Sequence, residues 1–130
     1  MAHILLIDDD RLLCGTVEMI LRSQGHEVAS AGGGREGIAR FRSGRFDLVA
    51  CDIFMPNREG LETLKEIRSL SASLPIIAFM GGDDHAGSAS DGDVLRVARE
   101  LRGTEMLAKP FRSRELLALV QRCLESGARA

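Results

Sequence analysis

The sequence predicts an α/β fold in which a parallel sheet of five strands lies between two layers of helices. Short apolar runs, able to be buried on both faces, alternate along the chain with longer stretches whose apolar residues recur at helical spacing. Parallel strands need such a crossover between them, so this alternation is typical of a parallel sheet. The 130 residues, 45% hydrophobic and 28% charged, fit one globular domain.

Five runs are predicted to be strands because each is short, apolar and bounded by turn-forming or charged residues. In chain order they are His3–Ile7, Glu27–Ser30, Leu48–Cys51, Pro75–Met80 and Glu105–Ala108.

Five amphipathic stretches are predicted to be helices. The apolar residues that mark them are, in order, Leu13, Val17, Ile20 and Leu21; Ile38 and Phe41; Leu61, Leu64 and Ile67; Val94, Leu95, Ala98 and Leu101; and Leu116, Leu117, Val120 and Leu124. Gly25 and Gly44 stand where the first two helices are expected to end, and Ser113 with Glu115 indicates the start of the last. The segment Gly81–Asp93, rich in Gly, Ser and Asp, is predicted to be an irregular loop.

The overall charge disfavours several functions. Lys and Arg number 17 against 19 Asp and Glu, a net charge of −2, whereas proteins that bind nucleic acid through its phosphates are usually basic. The absence of Trp and Tyr disfavours a stacking surface for single-stranded nucleic acid.

No apolar run has the length of a membrane span, and the N-terminus lacks a basic secretion signal, so a cytoplasmic location is expected. Cys14, Cys51 and Cys123 show no metal-binding spacing and are expected to be buried thiols.

Two further motifs are weak indicators of a binding site. Gly32–Gly37 fits the G-x-G-x-x-G pattern of dinucleotide sites, but it follows the second strand rather than the first and is interpreted as a turn and helix start. Asp83, Asp84 and His85 could suggest a metal site, but acidic residues on a glycine-rich loop are more often solvated.

Acidic side chains follow the first and third predicted strands. Asp8, Asp9 and Asp10 come after the first, and Asp52 ends the third. Neighbouring parallel strands end at the same edge, so Asp8, Asp9 and Asp52 are expected to converge, whereas Asp10 is expected to cap the first helix. Three crowded carboxylates repel one another unless a cation joins them, and oxygen ligands without His or Cys favour Mg²⁺. Lys109, after the fifth strand, could contact a phosphoryl oxygen, and a carboxylate beside Mg²⁺ and a lysine can accept a phosphoryl group.

The motifs around these residues resemble those of bacterial response-regulator receiver domains over essentially the whole chain. The matching segments are Ile4–Asp10, Asp47–Asp52, Met55–Gly60 and Lys109–Phe111. The resemblance implies a three-layer (βα)₅ flavodoxin-like fold with strand order 2-1-3-4-5. It also implies one receiver domain over residues 1–130, similar to the chemotaxis receivers and part of a two-component phosphorelay.

The resemblance also implies a role for each site residue. Asp52 would be the phosphoacceptor, taking its phosphoryl group from a sensor histidine kinase or a histidine phosphotransfer protein. Asp9 and Asp52 would bind Mg²⁺ with the backbone carbonyl of Phe54, and Asp8 would act through a water. Lys109 would contact the phosphoryl group, and the Lys109–Pro110 peptide is expected to be cis.

This sequence departs from the family at three positions. Met80 stands where the family has a Thr or Ser that hydrogen-bonds the phosphoryl group, and Met106 replaces the usual aromatic switch residue. A thioether donates no hydrogen bond, so either an altered relay remains or the protein is a binding scaffold uncoupled from phosphorylation. Glu59 replaces the usual Asp and is expected to start the third helix.

The expected function is therefore signalling rather than enzyme catalysis on a separate substrate, apart from the protein's own phosphorylation and dephosphorylation. The residues after Pro110 suffice only for the last helix, so no DNA-binding domain is expected and the output would be contact with another, unknown protein. The expected surface is helix four, strand five and helix five, with Arg96, Arg99, Arg102 and Met106. A flavin-binding protein is disfavoured because Asp8–Asp10 stand where a phosphate loop would be needed.

Overall fold

The protein is seen in a computed structural model that describes residues 2–55, 59–80 and 96–129. The strands are β1 (His3–Ile7), β2 (Glu27–Ala31), β3 (Leu48–Asp52), β4 (Ile76–Met80) and β5 (Thr104–Ala108). The helices are α1 (Arg11–Arg22), α2 (Gly34–Ser43), α3 (Glu59–Leu70), α4, of which residues 96–100 are described, and α5 (Ser113–Arg129). Each predicted strand is confirmed to within one residue at either end.

All described strand pairs are parallel, and their order in the sheet is β2-β1-β3-β4-β5. The predicted fold and strand order are therefore confirmed. β1 and β3 are neighbours at the centre, with Ile7 paired to Cys51, so the residues that follow Ile7 lie beside the end of β3.

The centre of the sheet is buried on both faces because its central strands are apolar apart from His3 at the start of β1 and Asp52 at the end of β3. On β1, Ile4 and Leu6 pack in a cluster with residues of α1 and α5, whereas Leu5 and Ile7 pack in the opposite cluster with residues of α3. All four side chains are fully buried. This alternation follows from the two-residue period of a strand and explains why the run shows no polar face.

Side chains and turns define several helix ends as expected. Asp10 is the N-cap of α1, and its carboxylate accepts a hydrogen bond from the Leu13 N–H at 3.1 Å. Gly44 is the C-cap of α2. α1 itself ends at Arg22, and Gly25, with a φ of 86°, forms the left-handed turn that leads into β2.

Several further predictions concern the remaining residues. Cys14, Cys51 and Cys123 are buried free thiols, as predicted. No helix in the described parts of the chain combines the length and apolar character needed to cross a membrane. The predicted loop Gly81–Asp93, with Asp83, Asp84 and His85, lies outside the described residues, as do the first residues of the predicted fourth helix.

Candidate phosphoryl and metal site

The carboxyl edge of the sheet brings together the side chains that the sequence places at the ends of three strands. Asp8 follows β1, Asp52 is the last residue of β3, and Lys109 follows β5. Asp8 is fully buried and Asp52 is only 5% exposed, which is unusual for carboxylates and requires partners. We refer to Asp8, Asp9, Asp52 and Lys109 as the acidic pocket.

Lys109 joins the two buried carboxylates. Its Nζ donates to Asp8 Oδ2 at 2.8 Å and to Asp52 Oδ2 at 3.1 Å. The lysine backbone N–H is bound to the Met80 carbonyl at 2.8 Å, and Nζ lies 5.9 Å from the centre of the Phe79 ring. The side chain therefore crosses the end of β4 over an aromatic face to reach β3 and β1.

The second oxygen of each carboxylate is held by the backbone. Asp8 Oδ1 accepts from the Asp10 N–H at 2.9 Å, and Asp52 Oδ1 accepts from the Phe54 N–H, also at 2.9 Å. Each aspartate thus uses one oxygen for the N–H two residues ahead and the other for Lys109. These contacts fix the orientation of both carboxylates before any ligand binds.

Asp9 completes a group of three carboxylates. The Asp9 side chain is exposed. One carboxylate oxygen from each of Asp8, Asp9 and Asp52 lies within 4.8 Å of the other two. An all-oxygen donor set at this spacing suits Mg²⁺, which binds through a few carboxylates and retains waters. Up to three negative charges face the single positive charge of Lys109, so a divalent cation fits the charge of the pocket. The predicted role of the Phe54 carbonyl stays a prediction.

Burial and pairing shift the protonation of the pocket. Burial raises the pKa of Asp8 above its ordinary value, and the Asp52 charge adds to the rise, although Lys109 and the Asp10 N–H oppose it. Burial also opposes the charge of Lys109, but its hydrogen bond to Asp8 and the charges of Asp52 and Asp8 outweigh this and raise its pKa. Lys109 therefore remains a charged ammonium, whereas the buried Asp8 carboxylate, with its raised pKa, is easier to protonate than an ordinary aspartate.

Two of the positions that depart from the family lie on β4 and β5. Met80 and Met106 are half-buried and pack against the same apolar cluster as Leu5 and Ile7. The Lys109–Pro110 peptide is cis, as predicted. Arg99 and Arg102 of the expected output surface are exposed, and Met106 is half-buried.

Glu59 makes contacts that the sequence did not indicate. It begins α3, as predicted, but its Oε1 also accepts hydrogen bonds from the N–H groups of Gly34 and Arg35, at the start of α2. The only hint in the sequence is the substitution of Glu for Asp, whose longer side chain extends the reach of the carboxylate.

The glycine-rich segment is a turn and helix start, as interpreted, because α2 begins at Gly34. The glycines permit close packing. A Cβ added at Gly34 would overlap Thr63 Oγ1 and lie 2.7 Å from Glu59 Cγ, and one added at Gly37 would lie 2.6 Å from Ile7 Cδ1. The pattern is thus explained by contacts of α2 with α3 and β1.

The chain belongs to the response regulator receiver domain family, whose model it matches over residues 4–121. Receiver domains of this family are signalling modules of two-component systems rather than classical enzymes, and membership implies a phosphoacceptor role.

Solved structures agree with this family. The chain is 26% identical to a CheY-like response regulator receiver domain protein from Methanospirillum hungatei, with a TM-score of 0.83 and coverage of 99% of this chain and 98% of that one. The chemotaxis response regulator CheY4 of Vibrio cholerae is 30% identical, with a TM-score of 0.79 and coverage of 95% and 98%.

Curated relatives include longer proteins. The chain is 34% identical over 129 residues to the transcriptional regulatory protein CpxR homolog of Haemophilus influenzae, covering 98% of this chain and 52% of that protein. It is also 34% identical over 129 residues to the transcriptional regulatory protein AfsQ1 of Streptomyces coelicolor, covering 99% of this chain and 54% of that protein. The chain thus spans about half the length of these two relatives.

Proposed function

We propose that this protein is a response regulator whose phosphoacceptor is Asp52. The observation that carries the proposal is the pair of buried carboxylates held by Lys109, with Asp9 beside them. The phosphoryl donor is the phosphohistidine of a sensor histidine kinase or a histidine phosphotransfer protein.

In the proposed transfer, a carboxylate oxygen of Asp52 attacks phosphorus, a P–O bond forms and the P–N bond to the donor histidine breaks. The electron pair of that bond returns to the imidazole of the donor. Mg²⁺ would be held by Asp9, Asp52 and the Phe54 carbonyl, with Asp8 acting through a water, and would neutralise charge on the phosphoryl oxygens when bound. Lys109 contributes a second positive charge there, and the Phe54 N–H holds Asp52 in place.

We further propose that one receiver domain over residues 1–130 acts in the cytoplasm and signals through contact with another protein. The exposed Arg99 and Arg102 support the expected surface of α4, β5 and α5, because charged side chains there are available to a partner.

The test is phosphorylation of the whole chain with Mg²⁺ and a small phosphodonor, read by intact mass. We expect an added phosphoryl group on the wild type, none on Asp52→Asn, and a normal adduct on Asp47→Asn, whose exposed carboxylate binds the His3 N–H far from the pocket. A wild type without an adduct, or an adduct that persists in Asp52→Asn, would contradict the proposal.

A phosphorylation-uncoupled binding scaffold is the second candidate, favoured by Met80 and Met106. Both side chains pack among apolar neighbours, and neither can donate a hydrogen bond to a phosphoryl oxygen. Beryllofluoride with Mg²⁺ distinguishes the two candidates through backbone amide shifts. Shifts confined to the acidic pocket favour the scaffold, whereas shifts that extend into α4 and β5 favour a working switch.

A further inference from the structure

Glu59 connects α3 to the N-terminus of α2, and the residue after it packs against the end of β3. Gly33, the N-cap residue of α2, has no side chain with which to cap the helix. The carboxylate of Glu59 takes that place from α3, accepting from the Gly34 N–H and, at 3.4 Å, from the Arg35 N–H. Free N–H groups and the positive end of the helix dipole favour a carboxylate there.

The glycines at the start of α2 leave the space that the Glu59 side chain occupies. A Cβ at Gly33 would lie 3.0 Å from Glu59 Oε1, and one at Gly34 would lie 2.7 Å from Glu59 Cγ. Thr63 Oγ1 donates to the Glu59 carbonyl at 2.7 Å and borders the same space. Contacts therefore hold both the carboxylate and the main-chain carbonyl of Glu59.

The next residue ties the same turn of α3 to Asp52. A Cβ at Gly60 would overlap the Asp52 carbonyl oxygen and lie 2.6 Å from Ile53 Cα, so the backbone of α3 lies directly against the end of β3. The Cys51 thiol, 4.0 Å from the Gly60 carbonyl oxygen, packs at this junction. A shift of the first turn of α3 would therefore move the backbone that orients Asp52 and Phe54.

We propose that Glu59 is a positioning residue for the acidic pocket. By binding the N-terminus of α2, it holds the first turn of α3 against the end of β3 and so fixes the Asp52–Phe54 segment for Mg²⁺. This inference rests on the proposed function and adds a residue that contacts neither the metal nor the phosphoryl group. Side chains that support metal ligands in this way commonly affect affinity strongly.

The length of the side chain is the feature to test. Glu59→Asp keeps the charge but shortens the reach by about 1.5 Å, one carbon–carbon bond, and so withdraws the carboxylate from Gly34 and Arg35. Glu59→Gln keeps the length and an oxygen that can accept both hydrogen bonds. Glu62→Asp makes the shortening at an exposed acidic residue in the same first turn of α3.

The experiment is a Mg²⁺ titration of the ¹⁵N-labelled whole chain, followed through backbone amide shifts. We expect Glu59→Asp to bind Mg²⁺ about tenfold more weakly than the wild type, the lower end of effects seen for residues that support metal ligands. Glu59→Gln and Glu62→Asp should match the wild type, and the Gly34 and Arg35 amides should respond to Mg²⁺ in the wild type. Thermal unfolding in EDTA measures the effect of each variant on stability separately.

Each outcome decides between the possibilities. Wild-type affinity in Glu59→Asp would overturn the inference, even if that variant melts earlier, because its role would then be structural only. Equal weakening in Glu59→Gln would also overturn it, since charge rather than position would be responsible, and so would equal weakening in Glu62→Asp. A wild type whose Asp8 and Asp52 amides do not respond to Mg²⁺ would instead contradict the proposed metal site, and the inference with it.

Discussion

At the scale of single residues, Lys109 stabilises a local charge arrangement that would otherwise be unfavourable. Its ammonium binds two aspartates that are almost entirely shielded from water, and the lysine side chain is itself only 18% exposed. Removal of one partner from a buried ion pair is costly because the remaining charges lose compensation.

Lys109→Met is therefore expected to lower the free energy of unfolding in EDTA by about 3 kcal/mol. Mg²⁺ should recover part of that loss, because a divalent cation can compensate the same carboxylates. Urea unfolding with EDTA and with Mg²⁺ measures both effects. The control is Lys65→Met, which changes an exposed lysine on α3 and should leave stability nearly unchanged. Equal losses in the two variants would show that the pairing with Asp8 and Asp52 contributes little.

The pocket residues could be predicted from the sequence because each lies at a strand end. A parallel sheet brings such ends to one edge whatever the details of packing, so Asp8, Asp52 and Lys109 converge as expected. The contact of Glu59 with α2 could not be predicted in this way. It depends on how far apart two helices lie on the sheet, and helical periodicity carries no information on that distance.

At the scale of secondary structure elements, glycines in two helices have opposite environments. Gly34 opens α2 against Thr63 and Glu59, whereas Gly15 lies inside α1 with open space around the position of an added Cβ. An alanine gains helix stability over glycine at both positions, but only at Gly34 does the methyl group meet neighbouring atoms.

Two matched substitutions should therefore have opposite effects. Gly34→Ala is expected to destabilise the protein by about 2 kcal/mol, as overpacking does, and Gly15→Ala to stabilise it by up to about 1 kcal/mol. Chemical unfolding of both variants in the same buffer measures the difference. A stabilising Gly34→Ala would mean that α2 and α3 separate without cost.

The three central strands were predictable to within one residue because burial on both faces leaves a nearly continuous apolar run. The glycine-rich start of α2 was correctly interpreted as a turn, but the reason for its glycines was not accessible from the sequence. A pattern that resembles a dinucleotide site is here explained by packing against Ile7, Glu59 and Thr63. Sequence periodicity identifies elements more reliably than it identifies contacts between them.

At the scale of the whole molecule, the proposed path from Asp52 to the surface of α4, β5 and α5 includes two methionines, Met80 on β4 and Met106 on β5. Met80 pairs with Ala108 across the β4–β5 ladder, and Met106 pairs with Ala78. Met80 lies on β4, between β3 and β5, whereas Met106 lies on β5 within the proposed output surface itself. Both are flexible apolar side chains.

Met80→Thr restores a hydroxyl at the end of β4. In the presence of Mg²⁺ and beryllofluoride, we expect it to extend amide shifts from the pocket to residues 96–108, beyond their extent in the wild type. Met19→Thr, at a side chain that is 71% exposed on α1, is the matched control and should not extend them. An unchanged footprint in Met80→Thr would show that the hydroxyl alone does not transmit the signal.

The ion pair between Lys109 and Asp8 joins residues 101 positions apart, so the pocket is among the last parts of the molecule that a folding chain can complete. At ordinary rates of translation, Asp8 is synthesised about 5–20 s before Lys109. During that time a growing chain carries the acidic residues without the lysine that holds them in place. A chain still being synthesised, or one that has lost β5, is therefore expected to be a poor phosphoacceptor, so a kinase would signal chiefly through fully folded molecules.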